Sequence, residues 1–544
     1  MGRITCFDWR AKSAGSPCRE ILPWLLIVPV YVAARVHFIN VPLNRDEGSF
    51  GYFGQVILRH GVLYKDIADG KPPLAFFLYA LALLFVPSNS AGIHIFLHIY
   101  NFLTLVSLYI LARVLWKRAA AAFWTALVYA VFSSSPAILG FTASMEMFML
   151  LPITLSLLFA VLAVQRGAPA YLLASGVSGS LACWTKQSAV FSILFVLIYV
   201  CVSLRAAGRE KPRPGLLSGL FLWFAGGLAV SATITAYFYF KKALPDFFYW
   251  NFIYDFYYGK AFTYATKLTI LKTSLHRLVM EDFPVLGIGL FSAVYAALKK
   301  DGKGYFILGF LGFSFIGALP GAGYPHYFAQ IAPAASLAAG FGASGILAKT
   351  PATLRKIAYP LMAALLILVP VGASGKYYFQ KNPDAISGIL FGYNPFPEAK
   401  QIAKYISART GPDARVFIIG SEPEILFYSR RMNATPYPWW AHIMPTHPRY
   451  PDCLIKTWKE LAGNPPEYII DIPFSPSLGV DLKAASPYVA RIESIVGRYY
   501  HLEAVMVVGR DKSFMVQGPA LEDGFDETAS GGVAYRISLY RRNY

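Results

Sequence analysis

The sequence predicts an α-helical polytopic membrane protein of about eleven spans with a C-terminal extracytoplasmic α/β domain. Of its 544 residues 56% are hydrophobic and 16% aromatic, while only 15% are charged, against roughly 25% in an ordinary soluble domain. Long apolar runs recur as far as residue 374, after which the chain becomes polar with alternating patterns. The 49 basic residues exceed the 30 acidic ones for a net charge of +19, yet they stand in short clusters between apolar runs. Such clustering fits positive-inside sorting, so the expected surroundings are membrane lipids and not nucleic acid.

Arg3, Arg10, Lys12 and Arg19 make residues 1–20 a basic segment placed in the cytoplasm. No small-residue cleavage site follows the run from Ile21 to Val41, which reads as a retained first span. Later spans are expected near 92–115, 119–139, 147–165, 169–185, 188–204, 216–240, 283–298, 304–320, 327–347 and 357–374. The run from Pro72 to Pro87 is set apart, because a helix there would extend only about 24 Å against a hydrocarbon core of roughly 30 Å. Read as interfacial or re-entrant, it leaves Lys117/Arg118, Arg166, Arg205/Arg209/Lys211/Arg213, Lys299/Lys300/Lys303 and Lys349/Arg355/Lys356 all on the cytoplasmic side. Residues 21–375 are then a transmembrane domain with a first outer loop at 42–90. Residues 376–544 lie outside, and a plasma (inner) membrane location is expected.

In that last part Val416–Ile419, Tyr468–Ile472, Val505–Val508 and Ala534–Leu539 read as strands, with a helical pattern at Glu398–Arg409 between them. Serine, proline and glycine breaks at Gly388–Pro397 mark its start. Cys6, Cys18, Cys183, Cys201 and Cys453 show no CxxC spacing, so neither a disulfide framework nor a zinc ribbon is expected. His442, His447 and Cys453 are too irregularly spaced for a metal set, and no GxGxxG, P-loop or HExxH precedes a suitable element.

The chemistry concentrates in N-R-D-E-G-S-F-G-Y-F-G-Q-V-I-L-R-H-G-V-L-Y-K-D-I-A-D-G-K-P-P-L, Asn44 to Leu74. Asp46 and Glu47 stand just past the first span. Phe50, Phe53 and Ile57 then recur at i, i+3 and i+7 opposite Ser49, Gln55 and Arg59, which predicts an amphipathic helix on the membrane surface. The plain alternative is that the doublet only caps that helix. Against it stands the grouping of carboxylates, lysines and aromatics beside a span that itself carries Arg35 and His37. A hydroxyl acceptor needs a carboxylate base and a departing phosphate needs cations, and this loop offers both.

The doublet with its aromatic helix, G-x-x-Y-x-D and K-P-P-L resembles the first outer loop of the GT-C membrane glycosyltransferases, in the branch of protein O-mannosyltransferases and aminoarabinose transferases. C-W-T-K-Q-S-A at Cys183–Ala189 is similar to that branch's lysine turn, and P-H-Y-F-A-Q-I-A-P-A at Pro325–Ala334 to its aromatic loop. The resemblance covers about residues 20–375. It implies Asp46 as catalytic base, Glu47 as its neighbour in acceptor or donor binding, and Lys71 on the phosphate of a polyprenyl-phosphate sugar. Lys186, His326 and Tyr327 would also bind donor phosphate; His326 stands where relatives often carry arginine. Glu146, in T-A-S-M-E-M-F, takes the place of a common aspartate among the substrate-binding residues. Arg277 is a further candidate for phosphate, against a plain role in headgroup attraction shared with Lys260, Lys267 and Lys272. For Lys186 the plain role is a snorkelling anchor.

The expected activity is transfer of one sugar from a polyprenyl-phosphate carrier to a hydroxyl on a glycolipid, glycan or protein, with inversion. No cofactor is expected. A monophosphate leaving group can be neutralised by lysine and arginine, and the outer segments hold no D-x-D, so a metal-independent reaction is favoured over one using a divalent ion. The competing readings are a pyrophosphate-donor glycan ligase and an ion-coupled secondary transporter, the latter lacking the paired halves such proteins tend to show.

Overall fold

The computed structural model describes residues 21–206, 214–258, 263–474, 482–510, 512–521 and 532–543. Arg3, Arg10, Lys12, Arg19, Cys6, Cys18, Arg209, Lys211, Arg213 and Lys260 lie outside the described residues. The chain divides into two compact units. One comprises the described chain up to Phe38, Leu97–Ile234 and Ala265–Phe379; the other comprises Ile39–Phe96, Thr235–Tyr264 and the chain from Gln380 onward. The first outer loop thus falls in the same unit as the C-terminal domain.

Six helices among the described residues are long and apolar enough to cross a membrane: Ser90–Trp116, Met145–Arg166, Leu216–Phe240, Tyr264–Leu298, Pro325–Lys349 and Ala352–Ala373. Shorter apolar helices run over Trp24–Val36, Pro73–Leu83, Ala119–Phe132, Ala189–Arg205 and Gly302–Ala318. Their apolar side chains divide by environment. In Leu216–Phe240, Leu217 is 82% and Phe221 72% exposed, a surface that only lipid would cover at low cost. Met145–Arg166 is instead largely buried, begins at a Ser144 hydroxyl that accepts from the Met147 N–H, and ends at Gly167 with φ +70°.

Two expectations in the first unit need correction. The stretch before residue 283, expected to lie between two spans, is helical from Tyr264 onward as part of the Tyr264–Leu298 helix, which contains Arg277. Leu268, Leu271, Leu275 and Leu278 carry the helical period there, but the intervening lysines and Arg277 lower its hydropathy. Regular dihedrals fail at Asp282 (φ −122°, ψ 20°), just before Pro284, whose ring cannot donate the next ladder bond and crowds the preceding turn. The late span, expected from 327, opens as a 3₁₀ turn at Pro325–Ile331 and becomes α-helical at Ala332. Arg35 has a structural use. Its buried guanidinium donates to the Tyr31 and Ala130 carbonyls and the Ser133 hydroxyl, which satisfies carbonyls at the C-terminal end of Ala119–Phe132.

The second unit holds a six-stranded sheet in the order β2-β1-β3-β6-β4-β5. Strands β1 (Arg415–Ile419), β2 (Met432–Asn433) and β3 (Tyr468–Asp471) are parallel, with Val416 opposite Tyr468. β6 (Val533–Arg542) runs antiparallel to β3, β4 (Tyr500–Gly509) to β6, and β5 (Phe514–Gln517) to β4. All four expected strands are present, and a helix at Phe396–Ser407 replaces the expected Glu398–Arg409. The break expected at Gly388–Pro397 begins later, because Pro383–Phe391 is helical and Gly388 lies inside it; the turn comes at Gly392, φ +64°.

The Arg45–Leu58 helix is not a surface helix. Its aromatic face packs on Pro73–Leu83, with Phe53 stacked on Phe76 at 4.7 Å and Phe50 edge-on to Phe76 and Tyr79. The face expected to be wet is covered by the C-terminal domain: Ser49 is fully buried, and Gln55 donates to the Phe427 carbonyl at 3.0 Å. Glycines make this approach feasible. A Cβ at Gly48 would stand 2.3 Å from Glu424 Cβ and one at Gly51 2.7 Å from the Phe427 ring. Gly48→Ala should therefore push Arg45–Leu58 off the Pro423–Ser429 helix and destabilise the protein by about 1–3 kcal/mol. Gly388→Ala, facing open space, serves as the control. Equal thermal unfolding midpoints for the two variants in detergent would contradict this packing.

Candidate active site

In the second unit the Asn44 side chain accepts from the Glu47 N–H at 3.0 Å, while Glu47 Oε2 accepts from the Asn44 N–H at 3.1 Å. This reciprocal capping box fixes where the Arg45–Leu58 helix begins. Asp46 falls in its first turn, where the helix dipole favours a carboxylate. The doublet does cap the helix, as the plain reading held, but only through Glu47.

Asp46 has a second partner. Lys71 Nζ donates to Asp46 Oδ1 at 3.1 Å and lies 3.8 Å from Asp69 Oδ2. The same ammonium sits 5.0 Å from the Phe50 ring and 4.8 Å from the Trp439 ring, whose Nε1 donates to the Ser49 hydroxyl at 3.0 Å. Two aromatic faces and two carboxylates thus hold one cation in place. The side chains of Asp46 and Lys71 keep 37% and 26% of their surface exposed, so a substrate can reach both. Asp69 is different: burial raises its carboxyl above the usual range, Lys71 works against that rise, and Asp46 adds to it. Glu47, next to Asp46 in sequence, is buried against His94.

Behind the doublet, Arg45 donates to the Ser421 carbonyl, to Asn394 and to Glu422, the last at 2.7 Å. Glu424 is fully buried against Gly48, and neither of its carboxyl oxygens has a hydrogen-bond partner. Burial, and next the neighbouring Glu422, push this carboxyl well above its ordinary range, with Arg45 opposing. His442 and His447 serve in packing: Trp250 lies tilted and Tyr254 edge-on against His442, and His447 Nδ1 meets the Tyr249 hydroxyl at 2.7 Å. Burial, then His447 and Lys71, hold His442 well below the usual imidazole range. Among the described residues no group of three or more His, Cys, Asp or Glu side chains is placed to hold a metal ion.

The first unit brings together four further candidates. Lys186 follows the Ala170–Thr185 helix and pairs with Glu146 Oε1 at 3.1 Å, at the start of Met145–Arg166. Its ammonium lies 5.2 Å from the Tyr327 ring, and His326 is within electrostatic reach of the same carboxylate. Three sequence motifs more than a hundred residues apart at their extremes thus build one polar cluster. Arg277 is held elsewhere: its Nε donates to Glu281 at 2.9 Å, and Glu281 also accepts from the Ser374 hydroxyl. Asp282 accepts from the Ser135 hydroxyl at 2.6 Å.

Residues 70–235 match the family model for dolichyl-phosphate-mannose-protein mannosyltransferase. No curated protein sequence matches the chain. Among solved structures it is similar to ArnT from Cupriavidus metallidurans bound to undecaprenyl phosphate, with a TM-score of 0.60 at 14% identity over 92% of this chain and 98% of that one. The fold is that of the GT-C membrane glycosyltransferases. The Archaeoglobus fulgidus oligosaccharyltransferase tethered to an acceptor peptide is also similar in fold, with a TM-score of 0.52 at 11% identity over 92% of this chain and 74% of that one.

Sequence reading missed several residues of this site. Asp69 was in view two residues before Lys71. His94 gave a signal as an ionisable group in an apolar helix. Trp439, Glu422 and Glu424 had none, because they reach the doublet from more than 370 residues away.

The Glu424 carboxyl supplies a test. Its value is raised on folding, so the folded state holds the proton more tightly; stability is greatest below the unfolded value near 4.5 and falls as pH rises through the window above it. Glu424→Gln keeps the shape and removes the titration. It should raise the unfolding midpoint at pH 8 and change it little near pH 4.5; a variant less stable than wild type at pH 8 would contradict the assignment.

Proposed function

We propose that the protein is an integral membrane glycosyltransferase of the plasma (inner) membrane. It moves a sugar from a polyprenyl-phosphate carrier to a hydroxyl of a glycolipid, glycan or protein acceptor outside the cytoplasm, with inversion. The observation that carries this reading is the exposed Asp46–Lys71 pair, held on a capped helix in a chain of this fold. The ArnT structure's bound undecaprenyl phosphate supports a polyprenyl-phosphate donor.

In this reading Asp46 accepts the acceptor's hydroxyl proton as its oxygen attacks the anomeric carbon. The bond from that carbon to the phosphate oxygen breaks, the electron pair leaves with the phosphate, and lysine charge stabilises the anion. Lys71 begins on Asp46. A donor phosphate would compete with Asp46 for the same Lys71 ammonium. Lys186, His326 and Tyr327 are further candidates for binding phosphate, with Glu146 fixing the lysine. The reaction so written needs no metal, whereas a pyrophosphate donor would call for a divalent ion.

Two variants test the assignment in nanodiscs. Asp46→Asn should still bind undecaprenyl phosphate but lose most transfer of labelled sugar from membrane-derived polyprenyl-phosphate donors, since an amide accepts no proton. Lys71→Ala should bind undecaprenyl phosphate about ten- to a hundredfold more weakly, the usual loss for a charge-assisted contact of about 1.5–3 kcal/mol. Near wild-type transfer by Asp46→Asn, or unchanged lipid affinity in Lys71→Ala, would remove the respective role, and abolition of transfer by a chelator would favour the pyrophosphate ligase.

A further inference from the structure

The two carboxylates of the doublet meet opposite environments. The Asp46 side chain is 37% exposed, whereas the Glu47 side chain is 1% and its partner His94 0% exposed. Glu47 Oε2 is engaged by the Asn44 N–H, and Oε1 lies 2.9 Å from His94 Nε2. On its other side His94 Nδ1 lies 2.9 Å from the Ile39 carbonyl oxygen. A carbonyl oxygen only accepts, so Nδ1 must carry a hydrogen. A carboxylate and a bare Nε2 would then face each other as two acceptors, and the 2.9 Å contact requires one proton between them. With that proton the pair is neutral overall, whichever atom holds it, which is the condition for burying both groups.

The chain of bonds runs from the Ile39 carbonyl through His94 and Glu47 to the Asn44 N–H. One imidazole therefore ties both ends of the six-residue linker Ile39–Asn44 that leads into the Asp46 turn. The buried pair engages both Glu47 carboxyl oxygens, whereas the Lys71 ammonium lies 3.1 Å from Asp46 and 3.8 Å from Asp69.

We propose that His94, acting through Glu47, is a positioning residue for Asp46, and that Glu47 itself touches neither donor nor acceptor. This rests on the reading of Asp46 as the base. Glutamine at position 47 retains both bonds: its carbonyl accepts from the Asn44 N–H as a capping box allows, and its amide donates to a neutral Nε2.

The full-length protein in nanodiscs carries the test. Glu47→Ala and His94→Ala should lower kcat about tenfold or more, as expected on losing a buried hydrogen bond to a charged group, with the affinity for undecaprenyl phosphate kept. Glu47→Gln should lose far less than Glu47→Ala. A second readout does not depend on the chemistry: in an Asp46→Cys background, a thiol reagent should modify residue 46 faster when Glu47 is alanine than when it is glutamine or glutamate. Glu47→Gln losing transfer as completely as Asp46→Asn would show Glu47 reacting directly and overturn the proposal. So would equal labelling rates at residue 46 in all three backgrounds. Persistent transfer by Asp46→Asn would instead remove the base while leaving the labelling result to decide the positioning. If the alanine variants fail to fold, Glu47→Gln and His94→Gln, with their labelling rates, decide it.

Discussion

The site in the second unit depends on how closely a backbone can approach another at Gly48 and Gly51. Where the Arg45–Leu58 helix meets Pro423–Ser429, no side chain intervenes, and Glu424 and Phe427 lie directly against its backbone. That contact brings the C-terminal domain over the face that composition marks as polar. Ser49 can then hold Trp439, Trp439 can lie beside the Lys71 ammonium, and Arg45 can be taken up by Glu422. A larger residue at Gly48 would press on the Glu424 backbone and strain the hydrogen bonds that cross this contact.

A second constraint is electrostatic. The first turn of this helix gathers Arg45, Asp46 and Glu47, with Lys71, Asp69, His94, Glu422 and Glu424 around them. Each formal charge has a local answer: Arg45 with Glu422, Asp46 with Lys71, Glu47 with His94. Glu424 is the exception, and the burial that raises its proton affinity lets it remain neutral. Of these three pairs, Asp46–Lys71 is the one that keeps the most solvent exposure. The first unit repeats the theme at Glu146 and Lys186, where a buried carboxylate fixes a partly exposed ammonium beside Tyr327.

The apolar helices and the strands of the C-terminal sheet were legible in the sequence, though not the number of spans, because both rest on periodicities a single chain displays. A run of apolar residues is its own evidence for a lipid-facing or buried helix, and alternation marks Val416–Ile419 or Tyr468–Ile472 as strands whatever their neighbours. The same local logic failed at Tyr264–Leu298, where lysines and an arginine on a helical face lowered the hydropathy without breaking the period. It failed again at Gly388, which lies inside a short helix despite its usual meaning as a break.

By itself the sequence singled out the candidate site residues: the Asp46–Glu47 doublet, Lys71 in K-P-P-L, Lys186, and the His326–Tyr327 turn. These residue types at a span's end announce ionisable work wherever they fold. Only the tertiary structure decided how they are divided, with Asp46 exposed on Lys71 and Glu47 buried on His94. It alone assigned Arg277 to Glu281 and brought Trp439 and Glu424 to the doublet. Hydropathy and spacing report what lies a few residues away along one chain. Exposure, pairing and proton sharing depend on what another segment, hundreds of residues distant, places across the gap.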